Sequence, residues 1–319
     1  MAGNCTPEHD GQILLYKSQD GFTWQFERIL ASNNGRFGMM WECPDFFRLD
    51  GKAVLITSPQ DMMPQGFEYH NGHGTLCLLG TFDEETGEFH EETDQAIDYG
   101  IDFYAPQTVV APDGRRIMIG WMQNWDTCNL HAPSRPWFGQ MSLPRELSVK
   151  NGRLYQQPIR EIEGMRGGKT VHENVTFTDI IRLEGVKGRK IDMTLNVRPA
   201  DAEKIYRKFA VRFAQDDVHQ TSVSFRPYES ILKIDRKHSG SRRAIIHQPR
   251  CLVDNDDSRQ GILKVRIILD HFSAEVFVND GEYALSATLY TDIAVDGISF
   301  FADGQVTMDV VHYTLDDAQ

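Results

Sequence analysis

Short apolar or alternating segments separated by turn signals make up the first half of the chain, and helical periodicity is scarce. The segments predicted to be strands are residues 12–17, 53–57, 75–79, 107–110 and 117–121. Asp50-Gly51, Asp113-Gly114 and Asn151-Gly152 lie at turns between such segments, where residues that tolerate a positive φ favour tight hairpins. Period-two patterning with these turns predicts an all-β fold.

Two of these segments belong to a weak internal repeat. The repeated features are Cys43-Pro44-Asp45 with Asp50-Gly51 and, about 62 residues later, Ala105-Pro106-Gln107 with Asp113-Gly114. Each repeat holds about four strands, which is the size of a propeller blade. The innermost strands of a propeller surround its central channel, so Glu42 and residues 102–104 are predicted to converge there. Pattern alone leaves a β-sandwich open, in which the likeness of two hairpins is fortuitous.

The pattern changes near residues 157–169. Residues 158–163 predict a short helix or connector, which Gly167-Gly168 ends. Further strand-like segments then follow at the spacing of a two-sheet β-sandwich. They are residues 191–197, 208–213, 221–225, 263–269, 274–278 and 297–301. The chain is therefore predicted to have two domains, residues 1–163 and residues 164–319.

The composition narrows the class of protein. The 319 residues are 40% hydrophobic and 25% charged, which is typical of a globular chain. The net charge of −13 argues against a nucleic-acid partner, because nucleic acids attract clustered Lys and Arg. No apolar run approaches the ~20 residues that span a bilayer, and residues 1–4 do not resemble a secretory signal, so we expect no membrane partner and a cytoplasmic location.

The five cysteines are odd in number, scattered and without a Cys-X-X-Cys pair; they are Cys5, Cys43, Cys77, Cys128 and Cys251. This usage favours reduced thiols over a disulfide framework and indicates no zinc site. The eleven histidines likewise show no metal-ligand spacing. We therefore expect no metal.

The candidate chemistry centres on Trp41-Glu42-Cys43-Pro44-Asp45, at the start of an apolar run. A carboxyl group between an indole and a thiol is expected to lose water on both sides, and desolvation disfavours the carboxylate anion. A glutamic acid that is still protonated near neutral pH can protonate a leaving oxygen in glycosidic cleavage. A buried glutamate satisfied by backbone amides is the structural alternative.

Four further motifs follow this segment in order: Asp102-Phe103-Tyr104-Ala105-Pro106-Gln107, Gly120-Trp121-Met122-Gln123, Leu143-Pro144-Arg145-Glu146-Leu147 and Asp270-His271-Phe272-Ser273-Ala274-Glu275. Together the five segments resemble glycoside hydrolase family 32, the invertases, sucrose-6-phosphate hydrolases and fructanases. The resemblance implies an incomplete five-bladed β-propeller, of which the last two to three blades are present, followed by a C-terminal β-sandwich. It also implies a retaining hydrolase of terminal β-D-fructofuranosides such as sucrose or sucrose 6-phosphate, which needs no cofactor.

The resemblance assigns the role of general acid/base to Glu42, which would protonate the glycosidic oxygen and then activate the water that releases fructose. Cys43 is implied to tune this carboxyl as a weakly polar neighbour that is not itself ionised. Trp41 is predicted to line the pocket and to keep water from Glu42. Asp45, on the opposite strand face by simple alternation, is predicted to be structural, and Arg145-Glu146 is expected to be an internal ion pair.

Asp102, Tyr104 and Trp121 are, with Trp41, the predicted substrate-binding residues. Asp102 and Tyr104 can hydrogen-bond sugar hydroxyls, and a cap on the adjacent turn is the alternative for Asp102. Trp121 and Trp125 can offer an aromatic face to a sugar ring, although aromatic residues in strands often belong to the core.

The sequence departs from the family pattern in one respect. A retaining glycosidase needs a second carboxylate as nucleophile, which this family carries in an Asn-Asp-Pro-Asn-Gly motif, and an Arg-Asp-Pro motif steadies the transition state. Neither motif occurs in the 319 residues. We therefore expect an N-terminally truncated enzyme that lacks roughly two and a half blades, is inactive alone and leaves strand edges and apolar faces uncovered. An exo-acting inulinase or levanase and a non-catalytic sugar-binding protein are the alternatives.

Overall fold

The computed structural model describes residues 1–125, 137, 139–240 and 249–317. The strands of these residues form three small antiparallel sheets and one large sheet, which confirms the predicted all-β fold class. Three short helices have described bounds: α1 (Asp256–Arg259) and two 3₁₀ helices, Arg160–Met165 and Pro227–Glu229. The 3₁₀ helix Arg160–Met165 occupies the segment predicted to be a short helix or connector. No helix of the described residues is long and apolar enough to cross a membrane.

The three small sheets follow one another along the chain, and each is built from consecutive strands. The first contains β1 (Ala2–Cys5), β2 (Gly11–Lys17) and β3 (Gln25–Ser32). The second contains β4 (Trp41–Leu49), β5 (Lys52–Pro59), β6 (Leu76–Asp83) and β7 (Glu88–Ala96). The third contains β8 (Tyr104–Val110), β9 (Arg116–Trp121), β10 (Arg145–Lys150) and β11 (Arg153–Pro158). This is the strand order of propeller blades, and it gives two four-stranded blades and a three-stranded part of another.

The second and third sheets share an apolar core between their facing sides. Its members are the buried residues Phe47, Val54, Ile56, Cys77, Leu79, Ile97, Phe103, Met118, Leu147 and Leu154. Two-residue turns set the register of the hairpins: Asp50 and Gly51 have φ of 50° and 80°, and Asn151 and Gly152 have φ of 52° and 70°. A positive φ at both central positions is the geometry that Asp-Gly and Asn-Gly pairs favour.

The large sheet contains ten strands in the described residues. They are β12 (Arg166–Ile181), β13 (Ile191–Pro199), β14 (Lys208–Gln215), β15 (Gln220–Arg226), β16 (Ile231–His238), β17 (Arg250–Leu252), β18 (Leu263–Asp270), β19 (Ser273–Val278), β20 (Tyr283–Thr288) and β21 (Gly297–Leu315). The first part of β21 pairs with β14 and its second part with β13, while β12 runs beside both parts. The sheet thereby divides into two halves that share the long strands, as in the predicted β-sandwich.

Alternate residues of these strands fill the sandwich core. Val306, Met308 and Val310 of β21 are buried, whereas the residues between them are partly exposed. The same alternation of large apolar side chains on β13 and β18 supplies the rest of the inner face, so period-two burial is what joins the two halves.

The outer blades leave apolar side chains exposed, as predicted for an open propeller. Trp24, just before β3, and Phe26 of β3 are 57% and 55% exposed, and Val109 and Val110 of β8 are 63% and 54% exposed.

A buried arginine joins the third blade to the sandwich. Arg145 is 0% exposed, and its guanidinium donates to Asp98 Oδ2 at 3.0 Å and to Glu275 Oε2 at 2.7 and 3.0 Å. It also donates to Gln156 Oε1 at 2.8 Å and Ser286 Oγ at 2.6 Å. The predicted internal ion pair between Arg145 and Glu146 is wrong, because Arg145 pairs with Asp98 and Glu275 whereas Glu146 pairs with Arg115 and Arg160.

We expect Arg145→Met to lower the free energy of unfolding by about 3–5 kcal/mol, because two buried carboxylates lose their counter-charge. Arg160→Met is the matched control. Its guanidinium, 63% exposed, pairs with Glu146, and exposed pairs contribute about 1 kcal/mol or less. The measurement is urea denaturation of the chain and both variants. Equal midpoints for Arg145→Met and Arg160→Met would contradict the structural role of Arg145.

Candidate active site

Two β-bulges place Glu42 and Tyr104 at equivalent positions of adjacent blades. The register of β4 on β5 shifts between Glu42 and Asp45, and that of β8 on β9 shifts between Tyr104 and Gln107. Each bulge holds a residue with positive φ before a proline, Cys43 at 48° and Ala105 at 49°. Bulges bend a strand and redirect its side chains. The predicted repeat therefore exists in the structure, and it brings Glu42 and Tyr104 together.

The carboxylate of Glu42 is bound on one side only. Gln60 Nε2 and the Tyr104 hydroxyl each donate to Glu42 Oε2 at 2.8 Å. The backbone is held as well, because Thr57 Oγ1 donates to the carbonyl oxygen of Glu42 at 2.9 Å. Within the described residues Glu42 Oε1 has no hydrogen-bond partner, and the side chain is half-buried. The arrangement leaves one carboxyl oxygen free to exchange a proton with a bound molecule.

The Tyr104 hydroxyl is hydrogen-bonded to Glu42, and its predicted contact with a sugar is wrong. Its side chain is 2% exposed, and the hydroxyl lies 2.8 Å from Glu42 Oε2 and 3.0 Å from the carbonyl oxygen of Ser58. Burial, and then the hydrogen bond to Glu42, raise the pKa of Tyr104 well above its usual range. Tyr104 is therefore a neutral donor to the carboxylate at physiological pH.

Trp41 does not line a pocket, which corrects its predicted role. The residue is 0% exposed, and its ring packs so closely on β2 that a Cβ added at Gly11 would lie 2.4 Å from it. Its indole N–H donates to the carbonyl oxygen of Phe37 at 2.8 Å. Trp41 is a core residue that fixes the chain just before Glu42, and it points away from the carboxyl group because neighbouring strand residues face opposite sides.

Asp102 is also fully buried, so its predicted contact with a sugar is wrong. Its Oδ2 forms an ion pair with Arg236 of β16 and accepts hydrogen bonds from Thr288 N at 2.8 Å and Thr288 Oγ1 at 2.9 Å. These partners belong to the sandwich. Asp102 therefore anchors the strand that carries Tyr104 instead of binding a ligand.

Trp121 and Trp125 lie beside Tyr104. The ring centroids of Trp121 and Trp125 are 5.2 Å apart, and those of Tyr104 and Trp125 are 6.3 Å apart. Trp121 is partly exposed and Trp125 is 47% exposed. Both rings therefore have exposed surface beside Tyr104, and a sugar platform at Trp121 stays a prediction.

Cys43 reaches the surface next to Glu42. Partial burial of its thiol, followed by the charge of Glu42, raises the pKa of Cys43 above its usual value. The thiol is therefore protonated at neutral pH, and its role as a tuning neighbour stays a prediction. The free cysteines of the described residues also include Cys5, Cys77 and Cys251, whereas Cys128 lies outside those residues.

Gln60 and Asp45 show what sequence reasoning missed. Gln60 follows β5 and contacts Glu42 only because β4 and β5 pair, a register that no motif marks. Asp45 Oδ2 accepts from Thr108 N at 2.8 Å and Thr108 Oγ1 at 2.6 Å, so its predicted structural role is confirmed. Its predicted strand face does not hold, because the bulge adds a residue and breaks the alternation.

Comparison with known proteins gives the family of the chain. The model of the glycosyl hydrolases family 32 N-terminal domain matches residues 1–158, and that of the glycosyl hydrolases family 32 C-terminal domain matches residues 161–317. The chain belongs to glycosyl hydrolases family 32.

Curated relatives and a solved structure agree with this assignment. Sucrose-6-phosphate hydrolase of Escherichia coli is 32% identical over 97% of this chain and 62% of its own length. Raffinose invertase of E. coli is 33% identical over 92% of this chain and 59% of its own length. The GH32 β-fructofuranosidase BmSUC1 of Bombyx mori superimposes with a TM-score of 0.79 and 27% identity, over 98% of this chain and 62% of that chain. The chain thus spans about 60% of the length of these relatives.

Asp102 and Arg236 are expected to be strongly coupled. Asp102→Asn and Arg236→Met should each lower the free energy of unfolding by about 3–5 kcal/mol, because each removes one partner of a buried ion pair. The double variant should lose clearly less than the sum of the two. Urea denaturation of the four proteins measures this coupling, and strict additivity would show that the two side chains do not stabilise each other.

Glu42→Gln is expected to speed the alkylation of Cys43. Removal of the neighbouring negative charge lowers the raised pKa of the thiol, so more thiolate is present at a given pH. We expect Cys43 to be alkylated by iodoacetamide about two-fold faster or more at about pH 8. The rate is measured by mass spectrometry of the peptide that contains Cys43. Cys5 of the same protein is the internal control, and a parallel rise at Cys5 would contradict a local electrostatic effect.

Proposed function

We propose that this chain carries the general acid/base of a retaining β-fructofuranosidase and acts on terminal β-D-fructofuranosides such as sucrose or sucrose 6-phosphate. The observation that supports this most strongly is the carboxylate of Glu42, whose Oε2 is held by two donors while Oε1 has no partner among the described residues. A positioned carboxyl of this kind suits proton transfer to a leaving oxygen and back from water.

The proposed substrate class follows the names of the relatives. Two of them are sucrose-6-phosphate hydrolases from Staphylococcus xylosus and E. coli, and a third is a raffinose invertase. A single-residue mutant of the Bombyx mori enzyme was solved in complex with sucrose, and that structure is 27% identical to this chain. The partly exposed rings of Trp121 and Trp125 are proposed to contact the sugar, since aromatic faces suit the apolar side of a sugar ring.

In the proposed mechanism Glu42 acts twice. The protonated carboxyl first gives its proton to the glycosidic oxygen while a second carboxylate attacks the anomeric carbon and forms a covalent fructosyl intermediate. The Glu42 carboxylate then takes a proton from water, which releases fructose. Because the 319 residues contain no Asn-Asp-Pro-Asn-Gly motif, we propose that the attacking aspartate comes from polypeptide beyond these residues.

We also propose that the boundary between the propeller domain and the β-sandwich domain lies between residues 163 and 164. The two family matches end at residue 158 and begin at residue 161, and the 3₁₀ helix Arg160–Met165 lies between the last blade strand and β12.

Release of reducing sugar from sucrose and sucrose 6-phosphate tests this function. The chain alone is expected to show no turnover. The chain fused to the N-terminal portion of the E. coli sucrose-6-phosphate hydrolase is expected to hydrolyse at least one substrate, and Glu42→Gln should reduce its kcat by about 10²–10⁴-fold. Glu27→Gln, which changes an exposed partner of Lys17, is the control.

Three results would contradict the proposal in different ways. Turnover by the fused protein that does not depend on Glu42 would exclude this residue as general acid. Turnover by the chain alone that does depend on Glu42 would show that the attacking group lies within the 319 residues. Binding of sucrose by the fused protein without any turnover would favour a non-catalytic sugar-binding protein.

A further inference from the structure

The two donors at Glu42 converge on the same oxygen, and they come from different blades of the propeller. Gln60 follows β5 of the same blade as Glu42, whereas Tyr104 begins β8 of the next blade. A carboxylate oxygen accepts two hydrogen bonds comfortably. Oε2 is therefore saturated, while Oε1 has no partner within the described residues. With one donor, the carboxyl group could rotate about the axis of that single hydrogen bond. Two donors fix the plane of the carboxyl group.

The backbone of Gln60 is held by hydrogen bonds through both its N–H and its carbonyl group, which fixes the point from which its side chain reaches Glu42. Gln60 N donates to Met40 O at 2.9 Å, and Met39 N donates to Gln60 O at 2.8 Å. Gly38, with φ of 64°, lies so close that an added Cβ would be 2.2 Å from the carbonyl oxygen of Gln60. The segment before Glu42 and the residue that binds its carboxylate are thus fastened to each other.

Tyr104 has one hydroxyl proton and two acceptors within reach, Glu42 Oε2 at 2.8 Å and Ser58 O at 3.0 Å. It can give that proton to the Glu42 carboxylate or to the backbone carbonyl. The amide nitrogen of Gln60 has no such choice, because an –NH₂ group is a donor only and a carboxylate is an acceptor only. Gln60 is therefore the constant donor of the pair.

We infer that Gln60 and Tyr104 are positioning residues that act through Glu42: they occupy Oε2, so that Oε1 is the oxygen that exchanges the proton with the glycosidic oxygen and with water. This inference rests on the proposed role of Glu42. The proton on Oε1 passes to the leaving oxygen as the glycosidic bond breaks, and a proton from the attacking water returns to Oε1. Gln60 and Tyr104 gain and lose no proton in either step.

An infrared measurement tests the positioning without any need for turnover. The difference spectrum between the chain and its Glu42→Gln variant isolates the two carboxylate stretching bands of Glu42. When only one carboxylate oxygen accepts hydrogen bonds, the two C–O bonds become unequal and the separation of these two bands widens. Gln60→Met, which keeps the length of the side chain and removes the donor, should narrow the separation, and so should Tyr104→Phe. Each variant is compared with its own Glu42→Gln version.

Gln19→Met, at an exposed glutamine, is the control and should leave the bands in place. An unchanged separation in Gln60→Met, or an equal narrowing in Gln19→Met, would overturn the inference. If Gln60→Met does not fold, Gln60→Asn takes its place, since it keeps the amide but withdraws it by one methylene group. The separation of the two Glu42 bands must then narrow in Gln60→Asn.

The fused protein of the previous subsection gives a second readout. Gln60→Met should lower kcat by about ten-fold with little change in KM, because the lost contact orients a group that acts in the transition state. A rise in KM with unchanged kcat would assign Gln60 to substrate binding and overturn the inference. Hydrolysis independent of Glu42 would refute the proposed function, and the infrared bands would still decide whether Gln60 and Tyr104 hold the carboxylate.

Discussion

The site depends on the way that residues 98–104 are tied to the sandwich. Asp98 and Asp102 are buried carboxylates on this segment, and buried charges are tolerated only when they are paired. Asp98 is paired with Arg145 and hydrogen-bonded to Ser286, while Asp102 is paired with Arg236 and hydrogen-bonded to Thr288. The segment can be buried only where β10, β16 and β20 supply these partners.

Backbone contacts reinforce this attachment. Tyr99 N donates to Ala284 O and Ile101 N to Ser286 O, both at 2.8 Å, so residues 99–101 run along β20 like a further strand. Gly100 is required there, because an added Cβ would lie 2.1 Å from the backbone of Ser286. The sandwich has no contact of its own with Glu42 among the described hydrogen bonds, yet it sets the position of Tyr104, which does.

The bulges at Cys43 and Ala105 bring the side chains of Glu42 and Tyr104 together on the segments that are attached in this way. Without the extra residue, β4 would keep a strict alternation, and the side chains at its start would be directed by the pleat alone. With it, Glu42 of one blade and Tyr104 of the next meet at 2.8 Å. Hydrogen bonds between β4 and β8 hold these two side chains in place. Gln107 Nε2 donates to Cys43 O at 3.0 Å, and Asp45 accepts from Thr108. Residues with a positive φ, Cys43 and Ala105, thus lie directly beside Glu42 and Tyr104.

The sequence by itself determined the all-β class, the order of blades and sandwich, the turns at Asp50-Gly51 and Asn151-Gly152, the repeat that relates Glu42 to Tyr104, and the family. These features are local, because period-two patterning and turn residues express the preferences of neighbouring residues. Only the tertiary structure decided what Trp41, Asp102 and Gln60 do. Trp41 and Asp102 lie beside the site in sequence, but one packs on β2 and the other pairs with Arg236, 134 residues away. The direction of a side chain and its burial depend on the elements that pack around it, and no motif within a single strand carries that information.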